Sequence, residues 1–222
     1  MGVGEKISEL KSILPEKVKL VAVSKTKPNE IIMQAYNAGQ RIFGENKVQD
    51  LAEKYEALPK DIEWHFIGHL QTNKVKFVAP FISLIQAVDS LKLLKIINKE
   101  AQKYERIIPC LLQFHVALEE TKFGMSLEEA KSLLESNEFA TFENVEIYGV
   151  MGMATYTNDE NQVRNEFRML RNIFQILKNG YFSTSQKFSE ISMGMSHDFQ
   201  LAIEEGSTMI RVGTSIFGDR NY

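Results

Sequence analysis

The chain has 222 residues, 44% of them apolar, and a formal net charge of −3 at pH 7. That length suits one large domain, since α/β barrels commonly fill about 200–250 residues, and so apolar a composition excludes a disordered chain. Lys and Arg are dispersed, so there is no basic stripe for a nucleic-acid partner.

Residues 1–14 carry charges every few positions and lack the apolar centre of a secretory signal. Lys6 stands where a myristoylation signal needs Ser or Thr. Apolar positions over 7–14 predict a helix there instead. No segment reaches the apolar length of a membrane span, and Cys110, the single cysteine, allows no internal disulfide, which suits a reducing compartment. A cytoplasmic protein is expected.

Short apolar runs predict strands over 18–23, 41–43, 64–67, 83–87, 110–116, 145–151, 190–193 and 209–212. Several do not alternate, as expected of strands buried on both faces of a parallel sheet. Helical patterns lie between them. Residues 28–38 repeat Ile31, Ile32, Ala35 and Ala38 before Gly39, a stop signal. Leu91, Leu94, Ile97 and Ala101 mark a second stripe, and Phe167, Leu170, Phe174 and Leu177 a third that ends before Gly180. A shorter helix over 199–205 is closed by Gly206. Alternating β and α units require crossover connections and a parallel sheet. Eight units point to a closed (β/α)8 TIM-type barrel, with a doubly wound open sheet as the competitor. No linker, repeat or composition break appears, so 1–222 reads as one domain, with residues 1–14 as a helix packing on the barrel.

Function in such a barrel sits at the C-terminal ends of the strands. Lys25 follows Leu20-Val21-Ala22-Val23 there. Partial desolvation would favour its neutral amine, the nucleophile that forms an imine with an aldehyde. The plain alternative is a lysine snorkelling at a strand end, the commoner case for a lone residue. Lys27 is a rival, although it already leaves the strand before Pro28. The turns after strands seven and eight, Gly194-Met195-Ser196 and Gly213-Thr214-Ser215, suit a phosphate, whose usual site in these barrels they occupy. Singly, each reads better as structure, a helix cap by Ser196 or a tight turn at Gly213. Arg211 lies between Ile210 and Val212. It either faces the barrel mouth, where a guanidinium would keep a pyridine nitrogen unprotonated, or pairs with an acidic residue such as Glu45. Both readings stay open.

Other patterns carry less. Ser196-His197-Asp198 are chain neighbours and cannot form a triad, and His65 and His69 fall at a strand end without a third zinc ligand. No GxGxxG follows a strand; Gly149 and Gly152 suggest close packing at strand six instead.

The blocks Leu20-Val21-Ala22-Val23-Ser24-Lys25-Thr26-Lys27-Pro28, Phe43-Gly44-Glu45-Asn46, Trp64-His65-Phe66-Ile67-Gly68-His69, Ser192-Met193-Gly194-Met195-Ser196 and Arg211-Val212-Gly213-Thr214-Ser215 together resemble the pyridoxal 5′-phosphate (PLP) homeostasis proteins, a PLP-binding barrel family. The resemblance runs from about residue 18 to the C-terminus. It implies a fold-type III barrel like the N-terminal domain of alanine racemase, with PLP held as a Schiff base on Lys25. It further implies phosphate contacts from Ser196, Gly213 and Thr214, Arg211 facing the pyridine nitrogen, and Asn46 and His65 lining the pocket. One departure is His115, where many relatives carry Asn; the acidic-then-Lys-Gly pattern of residues 119–124 is kept.

The function this implies is a binding and delivery protein for PLP in vitamin B6 balance, not an enzyme. Its partners would be PLP and the apo-forms of PLP enzymes, and a monomer is expected. The chief rival is a PLP-dependent amino-acid racemase, which needs an acid/base group on each face of the cofactor. In alanine racemases a tyrosine from an extra domain of the partner subunit supplies the second; here the sequence stops at Tyr222, and nothing in it puts Tyr156 in that role. A phosphate-binding barrel without PLP would leave Lys25 unexplained.

Overall fold

A computed structural model of the chain describes residues 2–118 and 123–218. In chain order it holds α1 (Val3–Ile13), β1 (Lys19–Val23), α2 (Asn29–Asn37), β2 (Ile42–Glu45), α3 (Val48–Ala57), β3 (Glu63–Phe66), α4 (Val75–Val78), β4 (Leu84–Val88), α5 (Leu91–Gln102) and β5 (Ile108–Gln113). There follow α6 (Leu127–Leu134), β6 (Val145–Met151), α7 (Glu160–Gly180), β7 (Glu190–Ser192), α8 (Phe199–Glu204), β8 (Met209–Val212) and α9 (Thr214–Phe217). All neighbouring strands are parallel and follow chain order. The pairing of β1 with β8, from Lys19 against Met209 to Ala22 against Val212, closes the sheet. The fold is therefore the (β/α)8 barrel, and the open sheet is excluded.

Both faces of each strand are buried, which is why the runs read as apolar without alternation. The period of two persists in where side chains go. In β1, Leu20 and Ala22 join the large core between sheet and helices. Val21 points inward to a smaller cluster with Leu84, Ala87, Leu111, Met151 and Met209. At the N-terminal end of the barrel the inward residues are polar: Lys19 Nζ lies 2.5 Å from Glu190 Oε1, and Thr208 Oγ1 donates to Glu190 Oε2 at 2.9 Å. Gly149 has φ +154°, and a Cβ there would fall 1.8 Å from the Glu190 carbonyl oxygen. Only glycine lets β6 and β7 approach so closely. α1 packs against α2 and α9 through buried Ile7 and Leu10.

Element ends differ from expectation where local hydrogen bonds decide them. The fifth strand stops at Gln113, beyond which Phe114 bridges Met125 and the His115 amide donates to the Met125 carbonyl at 3.1 Å. The third helical stripe extends from Glu160 through Gly180, begun by Asp159, whose Oδ1 accepts from the Asn161 and Gln162 amides. Gly180 thus closes the last turn rather than following it. Ser196 does not cap α8. Asp198 holds that position, with its Oδ1 2.5 Å from the Met195 amide.

Candidate cofactor site

A cavity of about 350 Å³ opens at the C-terminal mouth, lined by Lys25, Lys27, Asn46, Tyr156, Ser196, Arg211, Gly213 and Thr214 among others. Its positions continue the inward alternation of the strands. Val23 is the last inward residue of β1, and Lys25, half-buried, is the next. Thr26 beside it takes φ 65°, uncommon for a β-branched residue. Asn46 directly follows β2, and Gly68 follows β3 by two residues. A Cβ on Gly68 would lie 2.5 Å from the Asn46 carbonyl oxygen, so this glycine lets the two strand ends close together.

The turn carrying Lys25 is held from behind. Ser24 Oγ donates to Glu45 Oε1 at 2.6 Å. Lys54 Nζ, reaching from α3, donates to the same oxygen at 2.7 Å and to the Ser24 carbonyl at 2.9 Å. Burial raises the Glu45 carboxyl above its usual range despite Lys54. Lys27 donates to the carbonyls of Phe217 and Gly218 at 3.1 and 3.3 Å, tying the β1 turn to the end of α9.

The turns after β7 and β8 meet. Ser196 Oγ accepts from the Gly213 amide at 3.1 Å, which leaves hydroxyl and amide groups of both turns on one side of the cavity. Thr214 is exposed there.

Arg211 is 4% exposed. Its Nη1 donates to Ser192 Oγ at 2.6 Å and its Nη2 to the Gly152 carbonyl at 2.9 Å. The expected ion pair with Glu45 does not form. Inward Gly44 precedes Glu45, so the alternation turns Glu45 outward toward α3, and β8 is not a neighbour of β2. Among the described residues no carboxylate lies within 4.0 Å of Arg211. Burial lowers the guanidinium to about 10, with Asp198 acting the other way, so it stays charged at neutral pH.

His65 is not among the cavity-lining residues. It lies below them inside the barrel, buried, with Nδ1 3.0 Å from Gln86 Nε2. Burial, then the charge of Lys19, lowers it to about 3. His69 is separate, at the surface, stacked on Phe123 and 3.3 Å from Asp89. Among the described residues no group of three His, Cys, Asp or Glu could hold a metal. His115 faces a different cavity, with Met125 and residues of α7. Residues 119–122 of the acidic-then-Lys-Gly pattern lie outside the described residues.

Sequence reasoning missed Gln86 and Ser192. Ser192 Oγ donates to Gln86 Oε1 at 2.7 Å, so these two join Arg211 to His65 across the barrel. Gln86 is the single polar residue of an apolar strand, the same signal that marked Arg211, whereas Ser192 shares the short β7 with Glu190.

The barrel and its polar mouth belong to the alanine racemase N-terminal domain class, whose sequence profile matches residues 3–221. A pyridoxal phosphate homeostasis protein of Aquifex aeolicus is 43% identical over 205 residues, covering 92% of this chain and 88% of that protein. The chain belongs to the pyridoxal phosphate homeostasis protein family. PipY of Synechococcus elongatus, solved without PLP, superposes with TM-score 0.90 at 34% identity, over 97% of this chain and 100% of its own. The same protein with PLP bound gives 0.86. An alanine racemase of Bartonella henselae with covalently bound PLP shares the fold, with TM-score 0.72 at 16% identity, over 99% of this chain and 63% of its own.

Proposed function

We propose that this protein holds PLP as a Schiff base on Lys25 and acts as a carrier or buffer of the cofactor in vitamin B6 balance. The observation that carries this is the meeting, on one cavity, of an amine from the β1 turn, the paired turns after β7 and β8, and a buried guanidinium without a carboxylate. The family name and the PLP-bound relative PipY support it.

PLP supplies an aldehyde that an amine can capture and a ring able to act as an electron sink. Lys25 would provide the amine. Ser196 and Thr214 would receive the phosphate with their hydroxyls, and Gly213, whose amide is held by Ser196 Oγ, would let the backbone approach it closely. Asn46 lines the side. Arg211 would face the ring nitrogen, and a guanidinium, which keeps its own proton at neutral pH, would leave that nitrogen unprotonated. A weakened sink suits holding over turnover. His65 acts from behind the wall through Gln86 and Ser192. The whole chain, 1–222, works as one domain, as a cytoplasmic monomer that passes PLP to apo-enzymes.

The racemase reading gains one observation, Tyr156 on the cavity wall. That residue is 80% exposed and edge-on to His197, which gives it little of the fixed geometry an acid/base group needs. The test is to load the purified protein with PLP, mix it with an apo-enzyme and follow the recovery of that enzyme's activity. In parallel, deuterium exchange is measured at Cα of alanine and serine. Transfer without exchange is expected. Robust exchange, or a protein that stays colourless with excess PLP, would overturn the carrier reading.

A further inference from the structure

Inside the barrel four buried polar side chains form one row whose direction is set at its upper end. A guanidinium has only donors, so Arg211 Nη1 donates a hydrogen bond to Ser192 Oγ. The serine proton then goes to its other partner, Gln86 Oε1. With its oxygen engaged, the Gln86 amide turns Nε2 toward His65 Nδ1, 3.0 Å away, and toward Met209 Sδ, 3.1 Å away. That ring nitrogen must accept, so His65 is neutral and carries its proton on Nε2. The row crosses from β8 through β7 and β4 to β3. Barrel interiors are filled mainly by branched apolar residues, and a buried polar row is costly unless every member is satisfied.

We propose that Ser192 and Gln86 are positioning residues for Arg211. They aim the guanidinium at the cavity floor and, being neutral, add no counter-charge to the influence of Asp198, which lies beyond 4.0 Å. A carboxylate in either place would hold the arginine and neutralise it. This inference rests on the reading of Arg211 as the group facing the PLP ring nitrogen. It also predicts a feature of the protein without cofactor, a guanidinium whose rotation is restrained and a single His65 tautomer.

The experiment uses the full chain as wild type, Ser192→Ala and the near-isosteric Gln86→Glu. Nitrogen NMR without PLP reads the two ends of the row. In the wild type, slow guanidinium rotation at Arg211 and an Nε2–H His65 are expected. Ser192→Ala, which leaves only the Gly152 carbonyl on Nη2, should speed the rotation, and Gln86→Glu, which offers only acceptors to Nδ1, should move the His65 proton. With PLP, the imine absorbance band is titrated with pH. Retreat or neutralisation of the cation should raise its midpoint by about half a unit or more, and weaken PLP retention about tenfold, the scale of one hydrogen bond to a charged group. Borohydride should still trap the cofactor on Lys25. If Ser192→Ala fails to fold, Gln86→Glu carries the test alone. An Arg211 that rotates freely in the wild type, or a midpoint and retention unchanged while His65 reports a broken row, would overturn the inference. A wild type that captures no PLP yet shows restrained Arg211 would instead sink the cofactor reading and leave the positioning role standing.

Discussion

Two cations are buried beneath the same mouth and are treated differently. Lys54 lies behind the β1–β2 side, where its ammonium meets Glu45 at 2.7 Å and its charge is cancelled. Arg211 lies inside β8 and is held by a hydroxyl and a carbonyl, both neutral. Removing a charge from water is costly, and a local carboxylate is the ordinary compensation. Lys54 has one and serves the architecture, fixing the Ser24 carbonyl next to Lys25. Arg211 has none within 4.0 Å, Asp198 acting on it only from farther off, and its guanidinium lines the cavity.

The sharpest way to break this contrast is to remove the compensating anion. Glu45→Leu leaves the Lys54 ammonium buried and unpaired, and should cost about 3–5 kcal/mol in urea unfolding. Arg211→Met breaks no direct ion pair, although buried Asp198 loses the more distant charge that acts on it. It leaves the Ser192 hydroxyl and the Gly152 carbonyl short of a donor, a loss of about 1–3 kcal/mol, while PLP retention falls far more. Equal destabilisation by the two substitutions would erase the distinction.

His65 sharpens the comparison through pH. Its folded value of about 3 lies below the ordinary 6.5, so the unfolded chain binds the extra proton between the two. Its stabilisation is complete above about pH 6.5 and is lost as pH falls toward 3, at up to ~1.4 kcal/mol per unit. Near pH 5.5 the loss should be about 1 kcal/mol, and His65→Gln should flatten that limb of the stability curve. An unchanged acid limb in the variant would mean that His65 ionises freely. The smallest effect is expected at the other end of the barrel. Lys19 is half exposed beside Glu190, so Lys19→Met should cost less than about 1 kcal/mol.

Much of this was legible in the residues. Eight apolar runs separated by helical stripes are what a closed parallel barrel requires, and Lys25 and Arg211 stood out as charges at or inside such runs. Asn46, Ser196, Gly213 and Thr214 line the cavity because strand ends converge there. Glu45 was not legible as the partner of Lys54, because the pairing depends on how α3 docks behind β2. Gln86 and Ser192 escaped for a related reason. A polar residue in a buried strand shows that something faces inward, but not which strand across the barrel supplies its partner. His65 shared a recognisable block with residues at the mouth, and yet the pleat placed it one layer lower.

The central claim is that Lys25 captures PLP. The protein is incubated with PLP, reduced with borohydride, digested, and the peptides are read by mass spectrometry. A yellow protein bleached on reduction, with the adduct on Lys25 and absent from Lys25→Ala, is the predicted result. An adduct on Lys27 or scattered over surface lysines, with Lys25 unmodified, would contradict it.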